Sequence, residues 1–361
     1  MNKITITFVA LFLLVPSTAF AMPDRLQRVY DMRTDLQAAF DLNGDAIPNS
    51  AAGFLINFED WAKQYGWRTM DELSSYAPVV EPPARANVEQ PVIDAEAWIV
   101  VDKNSGKILG AHEAGKEWPI ASITKLVTSD VMTRMTNDFD RQWDVRDEDN
   151  VGGARLYVDD GTQFKLDDLL HATLVGSANN AANAISRSIG LARESYIGFM
   201  NDRVRMLGLR HTKLVDPTGI ELGNTSTARE VAELARRVFT ENEKVRSATQ
   251  TVRMAITGSD GTDRNLTTTN WMLYKPQYDD VWVMAGKTGY LHESKWNVVE
   301  MLRPSKDDEA RELIVVVFGS ESRGESFDNV MLLSNWAWQN HSWNSGDLDV
   351  AAGSRKKPAT H

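Results

Sequence analysis

Apolar positions change their period several times along the chain, and each change marks an element. Phe58, Trp61, Ala62 and Tyr65 recur at i, i+3, i+4, i+7, and Leu26, Val29, Tyr30, Leu36 and Phe40 make a looser stripe, so residues 22–76 read as a helical segment. Residues 77–91 hold Pro78, Pro82, Pro83 and Pro91 with few apolar positions, the pattern of a linker. From Ala97 the runs shorten: Ala97–Asp102 and Lys107–His112 are β-type around Asn104-Ser105-Gly106, a hairpin signal. Helical spacing returns at Ser122–Met135 through Ile123, Leu126, Val127, Val131 and Met135, and again over 166–175, 180–189, 194–207 and 228–240. Val281–Ala285, Trp296–Met301 and Leu313–Phe318 read as strands, followed by a helix near Asp328–Trp338. Strands at both ends of this region with helices between them predict an α/β chain of the α+β type, its sheet assembled from both ends. Residues 345–361 are polar and read as a frayed tail.

The first 21 residues follow a different rule. Lys3 precedes an apolar run from Ile4 to Val15, Pro16 interrupts it, and Ala19-Phe20-Ala21 offers a small-x-small cleavage site. That is a signal peptide, too short in its apolar run for a spanning helix, and it predicts an exported protein of a bacterial periplasm with no stable membrane anchor after cleavage.

Composition removes whole classes of chemistry. The 361 residues include no cysteine, which excludes disulfide frameworks, thiolate metal sites and a cysteine nucleophile. Six scattered histidines and no H-e-x-x-H pattern leave no recognisable metal cluster, so neither metal nor cofactor is expected. A formal charge of −11 argues against a nucleic-acid partner. Asp41-Leu42-Asn43-Gly44-Asp45 lacks the alternating oxygen ligands and closing Glu of a calcium loop and reads as a turn.

Three short motifs carry the candidate chemistry. Ser122-Ile123-Thr124-Lys125 is an S-x-x-K; on a helix, residues three apart share a face, so the Lys amine reaches the Ser hydroxyl. An alcohol is a weak nucleophile until a base takes its proton, and a lysine with a lowered pKa can do so. Ser177-Ala178-Asn179 is an S-x-N at the end of a helix, where capping alone would account for it. Lys287-Thr288-Gly289 is a K-T-G following a strand-like run. The first two motifs recur at Ser354–Lys357 and at Ser342-Trp343-Asn344, so neither is specific alone. Their order along the chain is what distinguishes them.

With these motifs the sequence resembles the low-molecular-mass penicillin-binding proteins, the serine D-alanyl-D-alanine carboxypeptidases and endopeptidases. Leu207–Thr212, Asp216–Ile220 and Asn224–Glu230 are similar to that family's segments between its second and third motifs, most of all to the endopeptidases that lack a C-terminal β domain. The resemblance implies a peptidase domain over 92–344 with a penicillin-binding/β-lactamase-like fold: an antiparallel sheet flanked by helices, with a helical subdomain. It implies that Ser122 attacks a D-alanyl carbonyl, that Lys125 is its base, that Ser177 relays a proton with Lys287 beside it, and that Asn179 holds the substrate amide. Backbone N–H groups of Ser122 and Tyr290 would form the oxyanion hole, and Thr288, Gly289, Tyr290 and Arg323 would line the substrate site, Arg323 meeting its carboxylate. Peptidoglycan peptide stems would be the substrates and β-lactams the covalent inhibitors.

The stretch His292-Glu293-Ser294-Lys295 departs from the small residues usual after K-T-G and predicts bulk and charge at the pocket rim. Two rival readings stay open at this point. A class A β-lactamase needs a Glu between the second and third motifs, for which only Glu221 is near and its spacing is wrong. A non-catalytic penicillin- or peptidoglycan-binding module would show no turnover at all.

Overall fold

The computed structural model describes residues 82–86 and 89–343. The signal peptide, the helical segment over 22–76, the turn at Asp41–Asp45 and the tail over 345–361 lie outside the described residues.

Five strands build the main sheet: β1 (Ala97–Asp102), β2 (Ile108–His112), β3 (Trp282–Leu291), β4 (Lys295–Arg303) and β5 (Leu313–Ser320). Their order is β3-β4-β5-β1-β2 with every neighbour antiparallel. The sheet thus joins strands from the beginning and end of the domain, as the pattern predicts. Both faces of the central strand β5 and its neighbour β1 are covered, so β1 (AWIVVD) and β5 (LIVVVFGS) are buried at every position and read as continuous runs instead of alternating ones.

One face is covered by α7 (Arg323–Asn340), whose Phe327, Val330, Leu333 and Trp336 pack with Trp98, Val100, Val298, Leu302, Val315 and Val317. Sequence periodicity places this helix at Asp328–Trp338; it begins five residues earlier because Ser322 and Glu325 form a capping box that satisfies the first-turn N–H groups. The other face carries α5 (Ala228–Glu241) and α6 (Glu243–Gln250), and α1 (Lys125–Met135), α2 (Leu166–Leu174), α3 (Asn179–Arg187) and α4 (Arg193–Met206) pack with them and with one another. In α5 the buried stripe Val231, Leu234, Ala235, Val238 and Phe239 follows helical spacing, and Thr227 caps its N-terminus.

Two parts differ from the sequence reading. A short 3₁₀ turn over Ala121–Thr124 precedes α1, so the expected helix from Ser122 changes winding at Lys125. The described part of the expected linker over 77–91 is docked on the domain that follows it. Ala84–Arg85 pairs with His341–Ser342, the Trp336 Nε1–H donates to the Glu89 carbonyl at 3.0 Å, and the Ala111 N–H donates to Gln90 Oε1 at 2.8 Å. Prolines forbid a helix there but suit an extended chain at an exposed edge.

Candidate active site

Each motif residue is delivered by a different element. Ser122 sits in the 3₁₀ turn, just after Ala121 with φ of 49°, and Lys125 opens α1. Ser177, with φ of 57°, lies in the bend between α2 and α3, and Asn179 begins α3. Lys287, Thr288 and Gly289 lie on β3, at the edge of the sheet.

The geometry closes around Lys125. Its Nζ lies 2.8 Å from Ser122 Oγ, 2.7 Å from Asn179 Oδ1 and 2.6 Å from the Thr218 carbonyl oxygen, in a fully buried position. Burial first, and then the positive charge of Lys287, pull the Lys125 amine well below the ordinary lysine range, against a smaller opposing pull from Asp216. Lys287, itself buried, donates to Ser177 Oγ at 3.0 Å and to the Thr288 carbonyl at 2.9 Å. Its pKa falls to about 7, through burial and then the neighbouring charge of Arg323, with Glu300 opposing.

Two glycines let these parts approach. A Cβ on Gly289 would come within 2.7 Å of the Ile120 carbonyl oxygen and 3.2 Å of the Ser122 nitrogen, so only glycine lets β3 lie against the Ser122 turn. Gly219, at φ of 81°, meets the same turn from the other side, where a Cβ would overlap the Ala121 carbonyl.

Sequence reasoning missed what holds the third partner of Lys125. The Asp216 carboxylate, fully buried, accepts from the Thr218 N–H and hydroxyl, the Gly219 and Glu221 N–H groups and the Asn224 amide, at 2.5–2.9 Å. Those bonds fold the loop so that the Thr218 carbonyl faces Lys125. The sequence marked Asp216–Ile220 only as a segment resembling the family's, and a main-chain acceptor has no residue-type signature to show this role.

The expected substrate-binding residues are placed as follows. The Thr288 hydroxyl donates to Thr269 Oγ1 at 2.7 Å. Tyr290 is 49% exposed, its ring 4.6 Å from that of Trp296. Arg323 opens α7 with its guanidinium carbon 5.2 Å from the Trp271 ring and 5.1 Å from that of Trp296. Its buried Nε has no hydrogen-bond partner, and among the described residues it makes no ion pair. Of the expected rim, only His292 and Glu293 are exposed: Ser294 is buried, with its carbonyl accepting from Trp118 Nε1, and Lys295 pairs with Glu321. Glu221 is exposed and serves the loop through its backbone N–H. The second S-x-x-K lies outside the described residues, and Ser342 of the second S-x-N pairs with Ala84, on a separate two-stranded sheet.

The sequence of the D-alanyl-D-alanine carboxypeptidase family matches residues 84–322. The chain belongs to that family. Members similar to it include a D-alanyl-D-alanine endopeptidase of Haemophilus influenzae, 27% identical over 207 residues that span 57% of this chain and 69% of the relative. They also include the carboxypeptidase DacC of Escherichia coli, 32% identical over 43% of this chain and 42% of that protein. An Escherichia coli D-alanyl-D-alanine endopeptidase is 29% identical over 44% and 53%. The match thus spans about half the length of the last two. The Streptomyces K15 DD-transpeptidase superposes with a TM-score of 0.63 at 21% identity, covering 70% of this chain and 99% of that one, which shows the shared fold. Members of the D-alanyl-D-alanine carboxypeptidase family are serine peptidases. No described helix is long and apolar enough to cross a membrane.

Proposed function

We propose that the protein cuts D-alanyl bonds of peptidoglycan peptides through an ester on Ser122. One observation carries the reading: of the three groups around Lys125 Nζ, only the Ser122 hydroxyl has a proton to give, since the Asn179 and Thr218 oxygens are acceptors. A neutral amine therefore places its two N–H bonds on those acceptors and its lone pair on the hydroxyl. Ser122 Oγ then attacks the carbonyl carbon while its proton passes to Lys125.

The C–N bond breaks as Ser177, hydrogen-bonded to Lys287, supplies a proton to the leaving nitrogen. Backbone N–H groups of Ser122 and Tyr290 receive the charge that develops on the carbonyl oxygen. Water hydrolyses the ester and returns Ser122. Arg323, without an internal carboxylate, and Thr288 are suited to hold the substrate's carboxylate. The leaving amine is either free D-alanine or the amine of a neighbouring stem, which gives carboxypeptidase or endopeptidase action from one acyl-enzyme. The leader over 1–21 carries the chain to the periplasm, where these peptides are, and β-lactams acylate the same serine.

Labelled penicillin tests the reading. Wild type takes up label and Ser122→Ala takes up none, while purified wild type releases D-alanine or separated stems from muropeptides. Label persisting on Ser122→Ala overturns the assignment. Rapid penicillin hydrolysis without muropeptide products marks a β-lactamase, and label without turnover of either marks a non-catalytic binder.

A further inference from the structure

Glu300 is a carboxylic acid in a layer otherwise made of apolar side chains. It lies on β4, buried, and the residues two places away on the same face, Val298 and Leu302, belong to the apolar core under α7. Its cross-strand neighbour makes room for it: Gly286 on β3 lies opposite, and a Cβ there would overlap the Glu300 carboxyl. Burial pushes that carboxyl well above the usual carboxylate range, with the Asn270 hydrogen bond and the charge of Lys287 opposing. Its Oε1 has no hydrogen-bond partner, while its Oε2 accepts from Asn270 Nδ2 at 2.9 Å. A buried acid destabilises a core unless its bonds serve something, and this bond leads to the active site.

Two routes run from Asn270. Along the chain, it follows Thr269, whose hydroxyl accepts from Thr288 at 2.7 Å and whose N–H donates to the Val175 carbonyl at 3.1 Å, two residues before Ser177. In the other direction, Asn270 Oδ1 accepts from the Met272 N–H at 3.0 Å and so caps the short 3₁₀ turn Trp271–Leu273. That turn presents the Trp271 indole to Arg323, whose guanidinium carbon lies 5.2 Å from the ring. The turn thus holds one end of the Asn270 amide and Glu300 the other, which fixes its plane.

We propose that Glu300 is a positioning residue: through the Asn270 amide it holds residues 268–271 so that Thr288 and Arg323 stand together for the substrate's carboxylate. This inference rests on the D-alanyl peptidase reading, in which those two groups meet that carboxylate, and adds to it the side chain that sets them. A neutral acid and an amide offer Asn270 the same acceptor, so Glu300→Gln keeps the bond, whereas Glu300→Leu keeps the bulk without an acceptor.

Benzylpenicillin and its methyl ester, which lacks the carboxylate charge, test the role as acylating reagents at neutral pH. Wild type reacts faster with the free acid by about a hundredfold, roughly tenfold for each of two charged hydrogen bonds. Glu300→Leu lowers that ratio by about tenfold, while its rate with the methyl ester stays within about twofold of wild type. Asn270→Ala has the same effect, and the two changes together have no more than either alone, as links in one chain require. Glu300→Gln restores the wild-type ratio. Glu300→Met takes the place of Glu300→Leu if the latter does not fold. Slowing of both reagents alike marks a merely structural residue and overturns the proposal, as does an unchanged ratio in Glu300→Leu or equal wild-type rates with the two reagents. The indole N–H resonance of Trp271 gives a readout that needs no reaction: it shifts in Glu300→Leu and not in Glu300→Gln. That pattern in a protein that neither reagent labels supports the positioning role and overturns the peptidase reading instead. A Trp271 resonance unmoved in Glu300→Leu overturns the positioning role.

Discussion

In the proposed mechanism Lys125 is a base made from a residue that is ordinarily an acid at neutral pH. An unperturbed lysine titrates near 10.4. Here burial and Lys287 lower that value while Asp216 raises it, so each neighbour moves the reaction's pH dependence in a stated direction. Acylation needs the neutral amine, so its rate rises with pH through the folded-state value of Lys125. Lys287→Ala removes a lowering influence and shifts that limb to higher pH; Asp216→Asn removes the raising one and shifts it to lower pH. Lys125→Arg abolishes acylation despite keeping the charge, because a guanidinium stays protonated. Penicillin acylation rates against pH for the four proteins check all three, and a near-normal rate in Lys125→Arg would show that another group deprotonates Ser122. The five motif residues were legible in the sequence because each motif is a short covalent spacing. Asp216 and the indole pair around Arg323 were not, since Asp216 acts through a main-chain carbonyl and Trp271 and Trp296 reach Arg323 only in the folded chain.

Among the elements, β3 does two tasks at once: it closes the edge of the sheet and presses its backbone on the Ser122 turn. Gly289→Ala sets those tasks against each other, because the atoms a new Cβ would meet at 2.7–3.2 Å belong to Ile120, Ala121 and Ser122. The turn can yield only by moving Ser122, so penicillin acylation falls by about a hundredfold, the effect of roughly an ångström of misplacement. Unfolding, followed by circular dichroism, shows a loss of about 1–3 kcal/mol for the same overpacking. An unaltered acylation rate would show that the contact does not position the serine. Elements with an apolar stripe, such as α5 and β5, are legible to within a few residues. The ones that escape have little to bury: α6 hides only Val245, Ala248 and Thr249, and the hairpin Arg253–Thr257/Asp263–Thr267 buries one residue per strand. Their positions follow from neighbours that sequence periodicity does not see.

At the scale of the whole molecule, residues 82–86 and 89–91 tie the start of the described chain to the His341–Ser342 strand, α7 and β2. Deleting them removes the Ala84–Arg85 pairing, the Trp336–Glu89 bond and the Gln90 contact on β2. A chain starting at Val92 is therefore less stable than one starting at Pro82 by about 1–3 kcal/mol in denaturant unfolding, given one or so per lost hydrogen bond. Equal midpoints would return these residues to the status of a linker. The sheet itself has a consequence in time. β5 forms its ladders with β4 and with β1, and the β1 partners lie about 210 residues earlier in the chain. Helices α1 to α6 have nearer partners to choose from, but β1 stays half-paired until β5, the last strand of the main sheet, exists. On a ribosome or while threading through a pore, the amino-terminal hairpin must wait with one edge open, so the domain closes late and in one step, at a rate governed by its longest loop.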